Sequence, residues 1–232
     1  MLLSNRVTID RKRCTICGAC ARKCPTEALS VAGGRVNVEQ AMTIIEKDVP
    51  FYSESDGGVT FSGGEPLQQP DFLEALVDEC AKRKIDTVLD TCGYAPPKIV
   101  ERFLGKIDLF LYDLKIFDSA EHQKYTGVSN ELILENAQRI ALSGTNLSVS
   151  IPIVPQINDD EENIERTGKF LASLKKVKWV SLLPYHRMGV DKYENLGKPF
   201  RLKDTKTPSH QRMQMIKEKL ETFGLNIRVE ER

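Results

Sequence analysis

An α/β protein, with a parallel sheet and helices outside it, is predicted by a rhythm that fills most of the chain. Short runs rich in β-branched and aromatic residues stand at GVTFS (58–62), TVLDT (87–91), LFLYDLK (109–115), SVSIPIV (148–154) and WVSLLPY (179–185). Amphipathic stretches separate them: PDFLEALVDECAKRK, PPKIVERFLG, NELILENAQRIALSG and DEENIERTGKFLASLKK. Strand then helix, repeated at this spacing, argues βα units, whose successive strands run parallel. Glycine and polar residues crowd the C-terminal ends of the runs (SGGEP, DTCGY, DLK, PYH), where such folds build their sites. Five such units suit a partial barrel or an open doubly wound sheet.

The remaining elements follow in chain order. The start, MLLSNRVTIDRKR, has a short apolar stub followed by charges, and is neither a signal peptide nor a transit helix. Residues 14–25, CTICGACARKCP, have the spacing Cys-x2-Cys-x2-Cys-x3-Cys-Pro. That is the bacterial ferredoxin run for [4Fe–4S] clusters, in which the fourth cysteine ligates the other cluster of a pair. Cys14, Cys17 and Cys20 are thus assigned to one cluster and Cys24 to a second, although no second run follows. EALSVAGGRVNV reads as a short strand and a turn at Gly33-Gly34. Val38, Met42, Ile45 and Val49 recur at helical spacing and predict a first helix over 38–49. After the βα array, PSHQRMQMIKEKLETFG predicts a last helix and LNIRVE a last strand. The one compositional break, near residues 30–36, divides the chain into a cysteine-rich segment, 1–35, and a βα array, 36–232.

Composition narrows the function classes. The 232 residues are 41% hydrophobic and 28% charged, ordinary for a globular chain. Lys+Arg and Asp+Glu both number 33, so no net field points to nucleic acid or to an anionic membrane. No run approaches the roughly 18 apolar residues that suggest a membrane span. Four of the six cysteines fall within eleven residues, which suits metal binding in a reduced, cytoplasmic setting better than a disulfide scaffold.

Among candidate site residues, Ser62–Pro66 comes first. Gly63 and Gly64 let a ligand approach the backbone, and Glu65 sets a carboxylate beside them, a pairing suited to an amino group. The same five residues also read as a strand-to-helix turn. Cys80 reads as a small core residue, Cys92 as part of a tight turn, and His122 as part of a surface helix. His210 reads as solvated at the start of the last helix, and Trp179 as core.

VTFSGGEPLQQ, LDTCGY, YDLKIFD, TGVSN with ILEN, and LLPYHRMG with its KY and LG, taken in order, resemble the glycyl-radical-enzyme activating enzymes of the radical SAM superfamily. The resemblance covers essentially the whole chain. It implies a partial (βα) barrel of radical SAM type with a small ferredoxin-like iron–sulfur insert at the N-terminus. It also implies S-adenosylmethionine and [4Fe–4S] clusters as cofactors. By the same resemblance, Gly63, Gly64 and Glu65 hold the amino group of the cofactor. Asp90-Thr91 and Asp113-Leu114-Lys115 lie near its carboxylate, with Asp90 and Asp113 suited to a bridging cation, and His186 lies near the nucleoside. Strand capping by Lys115 and a loop-amide bond from Asp90 remain open as plainer roles.

The implied function is hydrogen abstraction from a glycine loop of a partner glycyl radical enzyme, with a flavodoxin- or ferredoxin-like electron donor. A non-catalytic iron–sulfur binding or electron-transfer protein is the alternative. The family's Cys-x3-Cys-x2-Cys triplet does not occur in these 232 residues. By resemblance, then, the chain is expected to be a family member lacking its N-terminal portion, and residues 14–25 to be the second of two ferredoxin runs.

Overall fold

A computed structural model gives the fold and describes residues 9–230. The helix α1 (Ala19–Arg22) is a single turn in the cysteine-rich segment. The helix α2 (Val38–Ile45) passes through a 3-10 turn at Glu46–Asp48 into α3 (Val49–Ser55). The array proper begins with β1 (Gly58–Phe61), α4 (Pro70–Lys82), β2 (Asp86–Thr91), α5 (Pro97–Glu101) and β3 (Leu109–Asp113). It continues with α6 (Ser119–Thr126), α7 (Glu131–Ser143), β4 (Asn146–Ile153), α8 (Glu161–Ser173) and β5 (Val177–Pro184). The short α9 (Val190–Asn195), then α10 (His210–Glu221) and β6 (Ile227–Val229), complete the chain.

Two compact units divide these elements. One joins the N-terminal segment through Asn37 to Met188–Arg201; the other takes Val38–Arg187 and Leu202 onward. The first unit thus extends slightly past residue 35 and includes a distant segment that no compositional break marks. Within it, the Arg11 guanidinium donates to the Asn195 carbonyl, and Tyr193 meets Phe200 edge-on at 5.1 Å between ring centroids.

The second unit holds one sheet of six strands in the order β1-β2-β3-β4-β5-β6, every neighbouring pair parallel. A doubly wound sheet reverses its strand order at a switch point. Here the order follows the sequence throughout, so the alternative closes in favour of a partial barrel. Among the described residues β1 and β6 each pair on one side only, and the barrel is not closed.

Burial alternates along β2 and β3 as a half-wrapped sheet requires, whereas residues 147–149 of β4 and 180–182 of β5 are buried on both faces. On β3, Phe110 and Tyr112 are fully buried toward the helices, whereas Leu109, Leu111 and Asp113 are only partly covered on the other face. Helices present Leu73, Leu76, Val77 and Cys80 from α4 and Ile133, Ala137 and Ile140 from α7 to the shared core. Each such fully buried aliphatic side chain contributes about 2 kcal/mol. On the other face the register aligns Asp113, Ser150, Ser181 and Arg228 across β3 to β6.

Three expectations need correction. Residues 27–37 form irregular chain with bends at 29 and 32, not a strand, since among the described residues of this unit none pairs with them. His122 is buried at 3% exposure, its Nδ1 lying 2.7 Å from the Val128 carbonyl; α6 is short enough for the next loop to fold over it. Trp179 is half-buried, with the Arg228 guanidinium 4.4 Å from its ring centroid, because β5 places it on the sheet face away from the helices. Cys80 is fully buried and His210 exposed, as expected.

Candidate functional site

The strand ends build the site. Ser62 follows β1 and donates from Oγ to Asp90 Oδ2 at 2.8 Å, tying the ends of β1 and β2. Gly63 adopts φ +122°, a conformation that L side chains rarely adopt. A Cβ added at Gly63 or Gly64 would meet no heavy atom within 4 Å, so this stretch of main chain faces open space.

Glu65 caps the 3-10 turn Pro66–Gln68, accepting from Leu67 N at 3.1 Å. Its Oε1 also accepts from Thr91 Oγ1 at 2.7 Å, and its Oε2 accepts from Cys92 N and Cys92 Sγ, both at 3.0 Å. Four donors therefore occupy the roughly four lone-pair sites of the carboxylate. Three are strong; the thiol is weak and is the one a better donor would displace. Cys92 thus makes the tight turn expected of it, with its thiol pushed up to about 11, first by burial and then by its bond to Glu65.

The turn after β2 is fixed by shape. Gly93 has φ +69°, and a Cβ there would lie 1.7 Å from Tyr112 Oη. Tyr112 cannot retreat: it is fully buried and donates to the Ile133 carbonyl at 2.6 Å. Asn136 of α7 holds the same turn from outside, donating from Nδ2 to the carbonyls of Gly93 (2.9 Å) and Ala95 (2.8 Å).

At the end of β3, Lys115 Nζ lies 3.3 Å from Asp113 Oδ2. Partial burial raises the Asp113 carboxyl above its usual range, Lys115 opposes that, and Asp90 and Glu65 add to it. Leu114, between them, turns its side chain into the core at 6% exposure, so it offers the site only its main chain, whose N–H donates to Ser150 O at 3.0 Å. Strands β1, β2 and β3 pair in parallel, so Glu65 after β1 and Lys115 after β3 both follow C-terminal strand ends at one end of the sheet. Beyond β5, Tyr185 is anchored by Oη to the Leu202 carbonyl at 2.8 Å, and half-buried His186 follows it.

Three further asparagines, absent from the sequence-derived candidates, enclose the Lys115 main chain. Asn158 donates from Nδ2 to the carbonyls of Lys115 and Pro152, both at 2.6 Å. Asn130 donates to those of Ile116 (2.9 Å) and Phe117 (2.7 Å), and Asn163 Oδ1 accepts from Phe117 N at 2.8 Å. An asparagine on a helix or loop reads as solvated, and only the preceding TGVSN and ILEN pattern marked Asn130 and Asn136 at all.

In the first unit all four cysteines of the ferredoxin run are free; Cys17 and Cys20 are exposed, Cys14 and Cys24 partly so. The Cys17 thiol is lowered first by the Ala19 N–H, then by Thr15 and, more weakly, by Arg22. Cys24 is lowered chiefly by Thr26, with the Leu29 N–H assisting. Such donors favour the thiolate an iron–sulfur cluster requires. Among the described residues no three His, Cys, Asp or Glu side chains converge on a point for a single metal ion. A cubane distributes its thiolates over separate irons, so that finding concerns mononuclear ions.

Comparisons with known proteins identify the family. Residues 11–168 match the sequence model of the Radical SAM superfamily. The chain is 37% identical over 258 residues to the trans-4-hydroxy-L-proline dehydratase activating enzyme of Clostridioides difficile, covering 97% of this chain and 85% of that protein. It is 41% identical over 176 residues to the choline trimethylamine-lyase activating enzyme of Oleidesulfovibrio alaskensis, covering 75% of this chain and 57% of the relative. It therefore spans less than two thirds of that second relative. A crystal structure of a domain of pyruvate-formate lyase-activating enzyme from Bacteroides vulgatus superposes with a TM-score of 0.65 at 35% identity, covering 75% of this chain and 99% of that one.

The sequence match and the sequential parallel sheet together place the chain in the radical SAM superfamily. Within that superfamily, the chain belongs to the glycyl-radical-enzyme activating enzymes.

Proposed function

We propose that this chain serves the activation of a glycyl radical enzyme, with S-adenosylmethionine seated at the strand ends. The observation that carries this reading is the pairing of an open Gly63-Gly64 main chain with Lys115, both following C-terminal ends of parallel strands in one sheet. Such an arrangement suits a zwitterionic amino acid, with main-chain carbonyls and Glu65 Oε2 for the ammonium and Lys115 for the carboxylate. An incoming ammonium displaces the weak Cys92 thiol from Glu65, while Thr91 and the Leu67 N–H keep that carboxylate in place. Asp90 and Asp113 add negative charge suited to a cation beside the ligand, and His186 adds a polar group toward the nucleoside.

When bound, a [4Fe–4S] cluster reduced by the electron donor, together with S-adenosylmethionine, would supply the radical chemistry that removes a hydrogen atom from a glycine Cα of the partner. Cys14, Cys17, Cys20 and Cys24 are proposed as ligands of auxiliary iron–sulfur chemistry, the Ala19 and Leu29 N–H groups supporting the thiolates. In this reading residues 1–35 serve the auxiliary clusters and residues 36–232 the S-adenosylmethionine site. A flavodoxin- or ferredoxin-like donor and a cytoplasmic setting belong to the same proposal. Among the described residues no helix is long and apolar enough to cross a membrane.

The alternative, a non-catalytic cluster carrier, is favoured by one observation: these 232 residues hold no Cys-x3-Cys-x2-Cys triplet. Anaerobic reconstitution separates the two readings. The 232-residue chain with reductant and S-adenosylmethionine is expected to release no 5′-deoxyadenosine. Joined behind a segment carrying the triplet and a first ferredoxin run, it should release it and give a glycyl radical signal on a matching partner. Failure of the joined protein to do either supports the carrier.

A further inference from the structure

The sheet ladder ends near residue 113, so the Lys115–Phe117 main chain must find other partners. Water would satisfy these groups at an exposed loop. Here side-chain amides take its place, from residues on three different elements.

Asn158 lies in the loop after β4 and is 2% exposed. Both Nδ2 hydrogens are used, one on Lys115 O and one on Pro152 O, so the amide joins the ends of β3 and β4. Its Oδ1 accepts from Val154 N at 2.8 Å. Its own carbonyl accepts from Asn163 Nδ2 at 2.7 Å, and Asn163 Oδ1 returns to Phe117 N. Asn130, 2% exposed, holds the carbonyls of Ile116 and Phe117 from the start of α7. Every main-chain carbonyl from Lys115 to Phe117 is thus held by a buried amide.

Neutral amides suit this place. They satisfy the main chain without adding charge beside an Asp113–Lys115 pair whose mutual attraction sets the polarity of the strand end. A fully satisfied buried network also fixes one conformation.

We propose that Asn158, supported by Asn130 and Asn163, is a positioning residue for Lys115. It holds the Lys115 carbonyl, and hence the direction in which the side chain leaves the backbone, so that the ammonium stands beside Asp113 at the strand ends. The functional consequence rests on the proposed role of Lys115 toward the carboxylate of S-adenosylmethionine.

Competitive amine acylation of the full chain, mapped by mass spectrometry, tests it. Asn158→Leu keeps the approximate volume and the neutral charge but removes the amide's hydrogen bonds; Asn163→Ala loosens the same clamp from its less buried side. Each is expected to raise the acylation rate of Lys115 roughly fivefold, about the effect of one lost hydrogen bond. Lys106 and Lys169 should be unchanged. Asn136→Ala, which releases the Gly93 turn instead, should leave Lys115 at the parental rate. Unaltered Lys115 labelling in both clamp variants overturns the inference, as does an equal rise in Asn136→Ala. A parallel series with S-adenosylmethionine tests the reading beneath it. Protection of Lys115 supports its ligand role; labelling indifferent to S-adenosylmethionine overturns that role and leaves the clamp to be judged by the ligand-free rates.

Discussion

Glu65 shows how little of a residue's role lies in its identity. Its carboxylate is oriented by Leu67, Thr91 and Cys92 before any ligand arrives. Thiol chemistry separates the cysteines in the same local manner. Cys17 and Cys24 are lowered by hydrogen bonds, whereas Cys80 is raised to about 11 by burial and Cys92 to about 11 by burial and Glu65. Brief iodoacetamide treatment of the iron-free chain at pH 8 should therefore alkylate Cys17 and Cys24 well before Cys80 and Cys92, as peptide mapping would show. Early modification of Cys92 would contradict its bond to Glu65.

Two glycines give a second contrast at this scale. Gly93→Ala drives a methyl into Tyr112 Oη at a left-handed φ and should cost about 3 kcal/mol or more in a denaturant titration. Gly64→Ala meets nothing and should leave the stability within about 0.5 kcal/mol of the parent's. Its effect is expected on S-adenosylmethionine binding instead.

Elements were the most legible level, for a definite reason. Each of the six strands lies within or beside the apolar run that predicts it, because period-two burial on a half-covered sheet writes itself into the residues. The first helix was marked by Val38, Met42, Ile45 and Val49, although the 3-10 turn at Glu46–Asp48 interrupts it just before Pro50. The single-turn α1 and the six-residue α9 left no periodicity to read. Close contact between elements was likewise hidden. Gly168 on α8 reads as a weak helix position, yet a Cβ there would stand 2.5 Å from the Phe223 ring just beyond α10. Gly168→Ala should accordingly cost about 1–3 kcal/mol by overpacking, despite its better helix propensity. Thermal unfolding would decide; a gain in stability would show that the helices can separate.

For the molecule as a whole, Ser62 meets Asp90, Glu65 meets Thr91, and Asp113 meets Lys115, all at C-terminal strand ends that parallel βα topology gathers on one side. What stayed illegible is the polar framework behind them. Asn130, Asn136, Asn158 and Asn163 are polar letters at buried positions, and a pattern of apolar spacing gives no reason to look at them. Global stability should also carry the signature of the buried thiols. Cys80 and Cys92 rise from an ordinary 9.0 to about 11, so the folded chain keeps protons that the unfolded chain releases. Their contribution is complete below pH 9, declines as pH rises, and is lost once the folded-state value is passed. Melting temperatures measured from pH 8 to 11 should fall, and less steeply when both cysteines are replaced by alanine relative to that variant's own value at pH 8. Equal slopes would show that other groups dominate, buried Tyr112 among them.

The sequential strand order has a temporal meaning. A ribosome delivers this sheet in the order in which it is paired, each new strand arriving beside the one before it. The donors around Glu65 are all synthesised once Cys92 has emerged. Lys115, made soon afterwards, must wait nearly fifty residues for Asn158 and Asn163 to be delivered. The half of the site suited to an ammonium can therefore mature before the half suited to a carboxylate, and a nascent chain halted at the end of β4, before Asn158, would carry the first without the second.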